Sequence, residues 1–296
     1  MKQALLALLL CGLPALSRAA DIAPPAVPPV LPGITINLDA KDGWKLTAKY
    51  SPPQPGRLSL LLLHGTGGRK EDWRRLAKPL FRLGYGYLAL DLRGHGESHA
   101  APEGKPTVWK KFVVSKEYNE YLNMMADLEA GVDYLVGQGI PEDRIAIIGA
   151  DVGGSLGLRY AALHPKLPLV ALLSPGMKYQ EVTTVNAMRL YKGRPILMVY
   201  SEADKTSAHE TPVLYGFAKI SAGASKVTLL VAPQEHGARM LRGPVIGQIV
   251  AWLQNPIQPE VTASSATAVA PAPASSDTIK DEDEPADAAP LAPEPQ

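Results

Sequence analysis

The chain has 296 residues, 30 Lys and Arg against 29 Asp and Glu, and 46% hydrophobic residues. That length allows one or two domains. There is no Lys/Arg block and no interleaving of basic and aromatic residues of the kind nucleic-acid binding would require, so the cationic residues read as a solvated surface.

The two ends have compositions foreign to a packed core. Residues 1–20 combine Lys2, an apolar run over 4–13 and small residues at Ser17, Ala19 and Ala20, which is the pattern of a secretory signal peptide cleaved after Ala19 or Ala20. The apolar run is well short of the ~20 residues that span a bilayer, so no stable membrane insertion is expected. Leu10 stands before Cys11 where lipid attachment needs a small residue, which argues against a lipoprotein. Cys11 is the sole cysteine, so the mature chain would have no thiol chemistry and no disulfide, compatible with a periplasmic or secreted location. Residues 21–33 read as a Pro-rich linker, and 258–296, rich in Ala, Pro, Ser and acids, as a tail unable to bury enough surface to offset ordering entropy. The expected folded domain is 34–257.

Within it, alternating apolar residues over 34–38 and 44–50, joined by a turn containing Asp42-Gly43, predict an N-terminal antiparallel hairpin. The apolar run 58–63 predicts a strand buried on both faces. Helix 71–83 then leads to strand 87–92, helix 118–136 to strand 145–148, and helix 154–163 to strand 169–173. Strands 195–200 and 227–231 follow, with helices near 210–220 and 240–252. Such alternation predicts an α/β fold with a mostly parallel central sheet and helices on both faces, with ligands at the carboxyl ends of the strands.

The strongest local signal is Ile147-Ile148-Gly149-Ala150-Asp151-Val152-Gly153-Gly154, a buried strand running into a glycine-rich turn and a helix. This is the setting of a nucleophile elbow, where glycines allow close strand–helix approach and the central side chain faces a cleft. Together with His64-Gly65-Thr66-Gly67-Gly68 and Asp91-Leu92-Arg93-Gly94-His95-Gly96-Glu97-Ser98, the elbow resembles the α/β-hydrolase superfamily over residues 34–254. The loops at 173–176, 201–204 and 235–237 are similar in placement to those of dienelactone hydrolases and small esterases. In that pattern position 151 is serine, and here it is aspartate.

The resemblance implies a hydrolase of small organic molecules with Asp151, Asp204 and His236 as site residues and the backbone N–H groups of Thr66 and Val152 as an oxyanion hole. No His/Asp/Glu cluster shows metal-ligand spacing, so no metal and no cofactor are expected, and the partner is a small molecule as substrate or ligand. Asp204 would fix the His236 tautomer so that His236 takes a proton from water. A carboxylate at 151 suits attack on an sp³ carbon, as in the epoxide hydrolases and dehalogenases that share this fold, and suits ordinary esters poorly because it would give an anhydride. No large cap fits between strands 169–173 and 195–200, so residues that assist a leaving group would come from Trp109, Phe112, Tyr118 or Tyr179. The alternative is a scaffold that has lost catalysis and acts as a binding or interaction module. An intact His236–Asp204 hydrogen bond favours the enzyme, and a blocked cleft favours binding. His64 and His95 read as structural, His99, His164 and His209 as surface residues, and the loop 99–117 as a wall of the cleft.

Overall fold

The structure, a computed structural model, describes residues 31–257 apart from Glu103 and Lys116. The signal-like segment, most of the Pro-rich stretch and the acidic tail lie outside the described residues.

Each central strand is apolar at nearly every position, so each can be buried on both faces at once. Such are β3 (Ser59–Leu63), β4 (Gly86–Leu90), β5 (Ile145–Ala150) and β6 (Val170–Leu173). With β1 (Ile34–Asp39), β2 (Lys45–Ser51), β9 (Ile196–Ser201) and β10 (Val227–Ala232) they form an eight-stranded sheet ordered β1-β2-β4-β3-β5-β6-β9-β10. β1 and β2 are antiparallel, as is β2 against β4, and every other pairing is parallel. The expected hairpin and parallel sheet are therefore both present.

Side-chain alternation divides the core in two. Leu61, Leu63, Ile147 and Met198 point to one face, where α3 (Met125–Gly137), α4 (Asp151–Leu163) and α6 (Lys205–Ala222) supply Leu128, Leu156 and Leu214. Leu60, Leu62, Ile148 and Val199 point to the other, where α1 (Arg74–Arg82) and α7 (Pro244–Gln254) supply Leu76, Leu80, Ile249 and Trp252.

Several boundaries differ from the sequence expectation. The helix expected at 118–136 is divided into α2 (Glu120–Asn123) and α3, with Met124 between them. The helix expected from 154 starts at Asp151, and the one expected from 210 starts at Lys205, where the Asp204 side chain caps it by accepting from the Ser207 N–H. The segment between β6 and β9 holds the two-residue strands β7 (Lys178–Tyr179) and β8 (Val182–Thr183) and the short α5 (Val185–Leu190), so no large cap stands there.

Two buried ionic clusters anchor the loops around the carboxyl edge of the sheet. Lys70 Nζ reaches Asp91 at 2.7 Å and Glu97 at 2.6 Å. Arg93, 1% exposed, bridges Asp127 on α3 at 2.7 Å, Glu120 on α2 at 3.0 Å and Asp42 in the β1–β2 turn at 2.6 Å. The motif Asp91-x-Arg93 is thus a structural tie between β4, the hairpin and the helical face.

Strand and helix meet closely at the elbow. A Cβ on Gly153 would lie 2.3 Å from the His64 carbonyl oxygen, and one on Gly149 would lie 2.5 Å from the Gly153 carbonyl oxygen. Gly153→Ala should therefore lower stability by about 1–3 kcal/mol through overpacking. Gly247→Ala, on an exposed turn of α7 with open space around it, should be neutral or raise stability by up to about 1 kcal/mol. Urea midpoints of the two variants check the contrast.

Candidate active site

β5 passes directly into α4, and Asp151 occupies the junction with φ 51°, the left-handed region. For a residue with a Cβ that conformation costs about 1–3 kcal/mol. The side chain is directed toward the loop after β3, where only a glycine leaves room: a Cβ on Gly65 would lie 2.8 Å from the Asp151 Cβ. The Thr66 N–H donates to Asp151 Oδ2 at 3.2 Å, whereas Oδ1 is buried with no hydrogen-bond partner among the described residues. Val152 provides one of the first N–H groups of α4, which have no acceptor in a preceding turn and favour negative charge.

The other two residues come from the ends of the neighbouring strands. Asp204 lies in the loop after β9, where its Oδ2 accepts from Ser207 Oγ at 2.6 Å and from His236 Nδ1–H at 2.5 Å. Because Nδ1 donates to a carboxylate, the Nε2 side of the imidazole is left toward Asp151, 3.7 Å from Oδ2, an ion-pair separation longer than a hydrogen bond. Glu202, the competing acid in the same loop, is exposed and takes no part. The structure thus brings Asp151, His236 and Asp204 into one line.

The charges respond to this placement. The Asp151 carboxylate raises the His236 pKa above its ordinary value; burial works against the rise and Asp204 adds to it. Burial would lift Asp204, but hydrogen bonds from Ser207 and His236 outweigh it and hold the carboxyl below its ordinary range.

Sequence reasoning missed two residues around this line. Ser174, at the end of β6 with φ 49°, accepts from the Gly237 N–H at 2.8 Å and so fixes the turn that carries His236. Tyr121, at the start of α2, is buried against Phe112; burial and then the Asp151 charge raise its phenol to about 12. The Ser174 loop was visible as a motif, but Tyr121 carried no signal, because the influence of the Asp151 charge on it depends on packing between remote segments. Of the aromatics expected to assist a leaving group, Tyr179 packs edge-on to His236 at 6.1 Å and donates to the Ser174 carbonyl at 3.0 Å. Trp109 and Phe112 pack around His95, and Tyr118 donates to Glu120.

The remaining histidines divide differently. His64 Nδ1–H donates to the Gly65 carbonyl and Nε2 accepts from the Leu92 N–H, with burial lowering its pKa to about 4. His95 donates to the Arg93 carbonyl and is lowered to about 3, mainly by burial. Both are neutral structural groups. Of the three expected at the surface, His209 is exposed, His164 is half-buried against Tyr160, and His99 is half-buried with Nδ1 unpartnered among the described residues. Ser155 is buried in α4 and hydrogen-bonded to Thr184, so it is no nucleophile.

A cleft of about 270 Å³, lined by Thr66, Asp151, His236 and Arg239 among others, opens onto this line. A second hollow shares Gly67, Gly68 and Asp72 with it and is walled by Val108, Trp109 and Lys110, so the loop 99–117 does shape the entrance. Among the described residues no group of three or more His, Cys, Asp or Glu is placed to hold a metal, and no helix is long and apolar enough to cross a membrane.

The profile of the family described as alpha/beta hydrolase fold matches residues 59–195, the stretch that contains the elbow. The chain has the α/β-hydrolase fold. Among solved α/β-hydrolase structures it is similar to an esterase from Pyrococcus furiosus, with a TM-score of 0.59 and 21% identity over 77% of this chain and 92% of that one. A dienelactone hydrolase from Anabaena variabilis gives a TM-score of 0.55 and 16% identity over 76% of this chain and 98% of that one. In sequence, the chain is 40% identical over 60 residues to 2-succinyl-6-hydroxy-2,4-cyclohexadiene-1-carboxylate synthase from Salmonella paratyphi C. That stretch is 20% of this chain and only 23% of the curated relative's length.

The position of His236 between two carboxylates can be titrated directly. Because its folded pKa is raised, the stability it contributes is complete below the unfolded-histidine pKa of about 6.5 and fades as pH rises through the folded value. Asp151→Asn removes the largest raising influence, so imidazole NMR should show the His236 pKa falling in that variant, and the fading should move to lower pH.

Proposed function

We propose that this chain is an exported hydrolase of small organic molecules in which Asp151 acts as the nucleophile, His236 as the base and Asp204 as the group that orients it. The observation carrying this reading is the line from Asp204 through the 2.5 Å bond to His236 and on to Asp151. It stands at the carboxyl edge of the sheet beside an open cleft.

The chemistry follows from the groups present. A carboxylate oxygen of Asp151 forms a C–O bond to an sp³ carbon, and the leaving group departs with the electron pair of its broken bond. A leaving alkoxide takes the proton that His236 Nε2 holds while both carboxylates are ionised. Esterification removes the Asp151 charge and with it the largest influence raising the His236 pKa, so His236 becomes a free base when one is needed. Water then loses a proton to Nε2 and attacks the Asp151 Cγ, and the developing oxyanion is met by the N–H groups of Thr66 and Val152. The tetrahedral adduct collapses, releasing an alcohol and restoring the carboxylate.

One observation favours a second reading, a binding module without turnover. Oδ1 is buried and Oδ2 is already held by the Thr66 N–H, so the carboxylate itself occupies one expected oxyanion donor. Export of the chain rests on residues 1–20 alone.

Turnover on a panel of epoxides, haloacids and short acyl esters separates the readings. For the enzyme, Asp151→Ala abolishes epoxide or haloacid turnover, and His236→Gln slows it by about 10²–10⁴-fold while mass spectrometry finds the substrate-derived ester on Asp151. A silent wild type with ester cleavage appearing in Asp151→Ser establishes the binding module instead. Fractionation of a bacterial host expressing the full chain tests export: a shortened protein in the periplasm or medium supports it, and a full-length cytoplasmic protein refutes it.

A further inference from the structure

A third hollow, of about 200 Å³, adjoins the cleft and is walled chiefly by arginines. Arg69, Arg74 and Arg75 reach it from the segment after β3, and Arg239 and Arg242 from the segment after β10. These are the same two segments that carry Thr66 and His236. The hollow and the cleft have Asp72, Ala238 and Arg239 in common, so a single small molecule can extend from one into the other.

The charge there is not internally balanced. Glu71 and Asp72 are the acids in the wall. Arg69 stands 3.8 Å from Glu71, while Arg239 and Arg242 share the one carboxylate of Glu235 at 3.3 and 3.5 Å. Arg74 and Arg75 have no carboxylate partner among the described residues. Five guanidinium groups around one concavity repel each other, and an anion placed among them turns that repulsion into attraction. Guanidinium forks match the planar or tetrahedral oxygens of carboxylate and phosphate. The buried scaffold arginine, Arg93, differs in kind, since three carboxylates surround it.

We propose that this hollow is an anion subsite, and that the molecule reacting at Asp151 is a small organic acid whose carboxylate or phosphate head group lies among these arginines. The inference rests on the proposed role of Asp151 only for which part of the ligand reacts; the anion site itself stands on the arginine geometry. Tethering the head group holds the other end of the molecule in the cleft, which restricts substrates to those short enough to bridge the two hollows.

Calorimetric titration of the full chain with succinate, inorganic phosphate and neutral dimethyl succinate tests this without relying on turnover. Succinate or phosphate should bind saturably at low ionic strength, weaken as salt rises, and exceed dimethyl succinate by about tenfold or more. Preference for succinate assigns a carboxylate head group, and preference for phosphate a phosphate. The double variants Arg74→Ala/Arg75→Ala and Arg239→Ala/Arg242→Ala, with unfolding midpoints recorded to show that each folds, should each lose about tenfold in affinity. No saturable anion binding, equal binding of the neutral diester, or unchanged affinity in both folded double variants overturns the subsite. Anion binding by a protein inactive on every substrate class would sink the nucleophile assignment and leave the subsite standing; turnover with no preference for acidic substrates would do the reverse.

Discussion

The backbone of β5 turns into α4 within one residue, and the turn is possible only because three glycines let chain segments touch. Gly149 and Gly153 bring strand and helix into contact with each other and with the His64 carbonyl, and Gly65 leaves the space that the Asp151 side chain fills. Asp151 is held at positive φ by this packing, so its position is determined by the surrounding backbone more than by its own preference. Everything functional follows from that placement: the Thr66 N–H reaches it from the β3 loop, the α4 N-terminus lies beneath it, and the cleft opens above it.

The site is also a problem in charge. Two carboxylates flank one imidazole, and the arrangement is comfortable only while the imidazole carries a proton. Asp204 is tied down by Ser207 as well as by His236, and these hydrogen bonds favour its charged form. Asp151 has fewer ties, an N–H on one oxygen and, among the described residues, nothing on the other. In the proposed mechanism this asymmetry makes Asp151 the carboxylate that reacts and Asp204 the one that stays ionised.

Charged groups elsewhere divide into those that build the scaffold and those left over. Lys70 with Asp91 and Glu97, and Arg93 with Asp42, Glu120 and Asp127, are enclosed by partners and hold four segments at the carboxyl edge of the sheet. Removing one member of such a buried set leaves the others uncompensated, which explains why the motif around 91–98 is so rich in polar residues. The arginines beside the cleft lack that enclosure.

Local pattern in the sequence was enough for the parallel strands, whose nearly continuous apolar runs at 58–63, 87–90 and 145–148 reflect burial on both faces, and for the elbow, whose glycines sit at the spacing that close packing demands. It also placed Asp204 and His236 at the ends of successive strands, because chain order and strand ends are one-dimensional facts. Helix starts were less legible: Asp204 reads as a loop residue until its carboxylate is seen capping α6, and Asp151 reads as a turn residue until α4 is seen to begin on it. Tertiary structure alone decided that Ser174 holds the turn bearing the histidine and that arginines from two distant segments surround one hollow. Those are contacts between residues far apart in the chain, set by how strands and helices pack, and no local spacing encodes them.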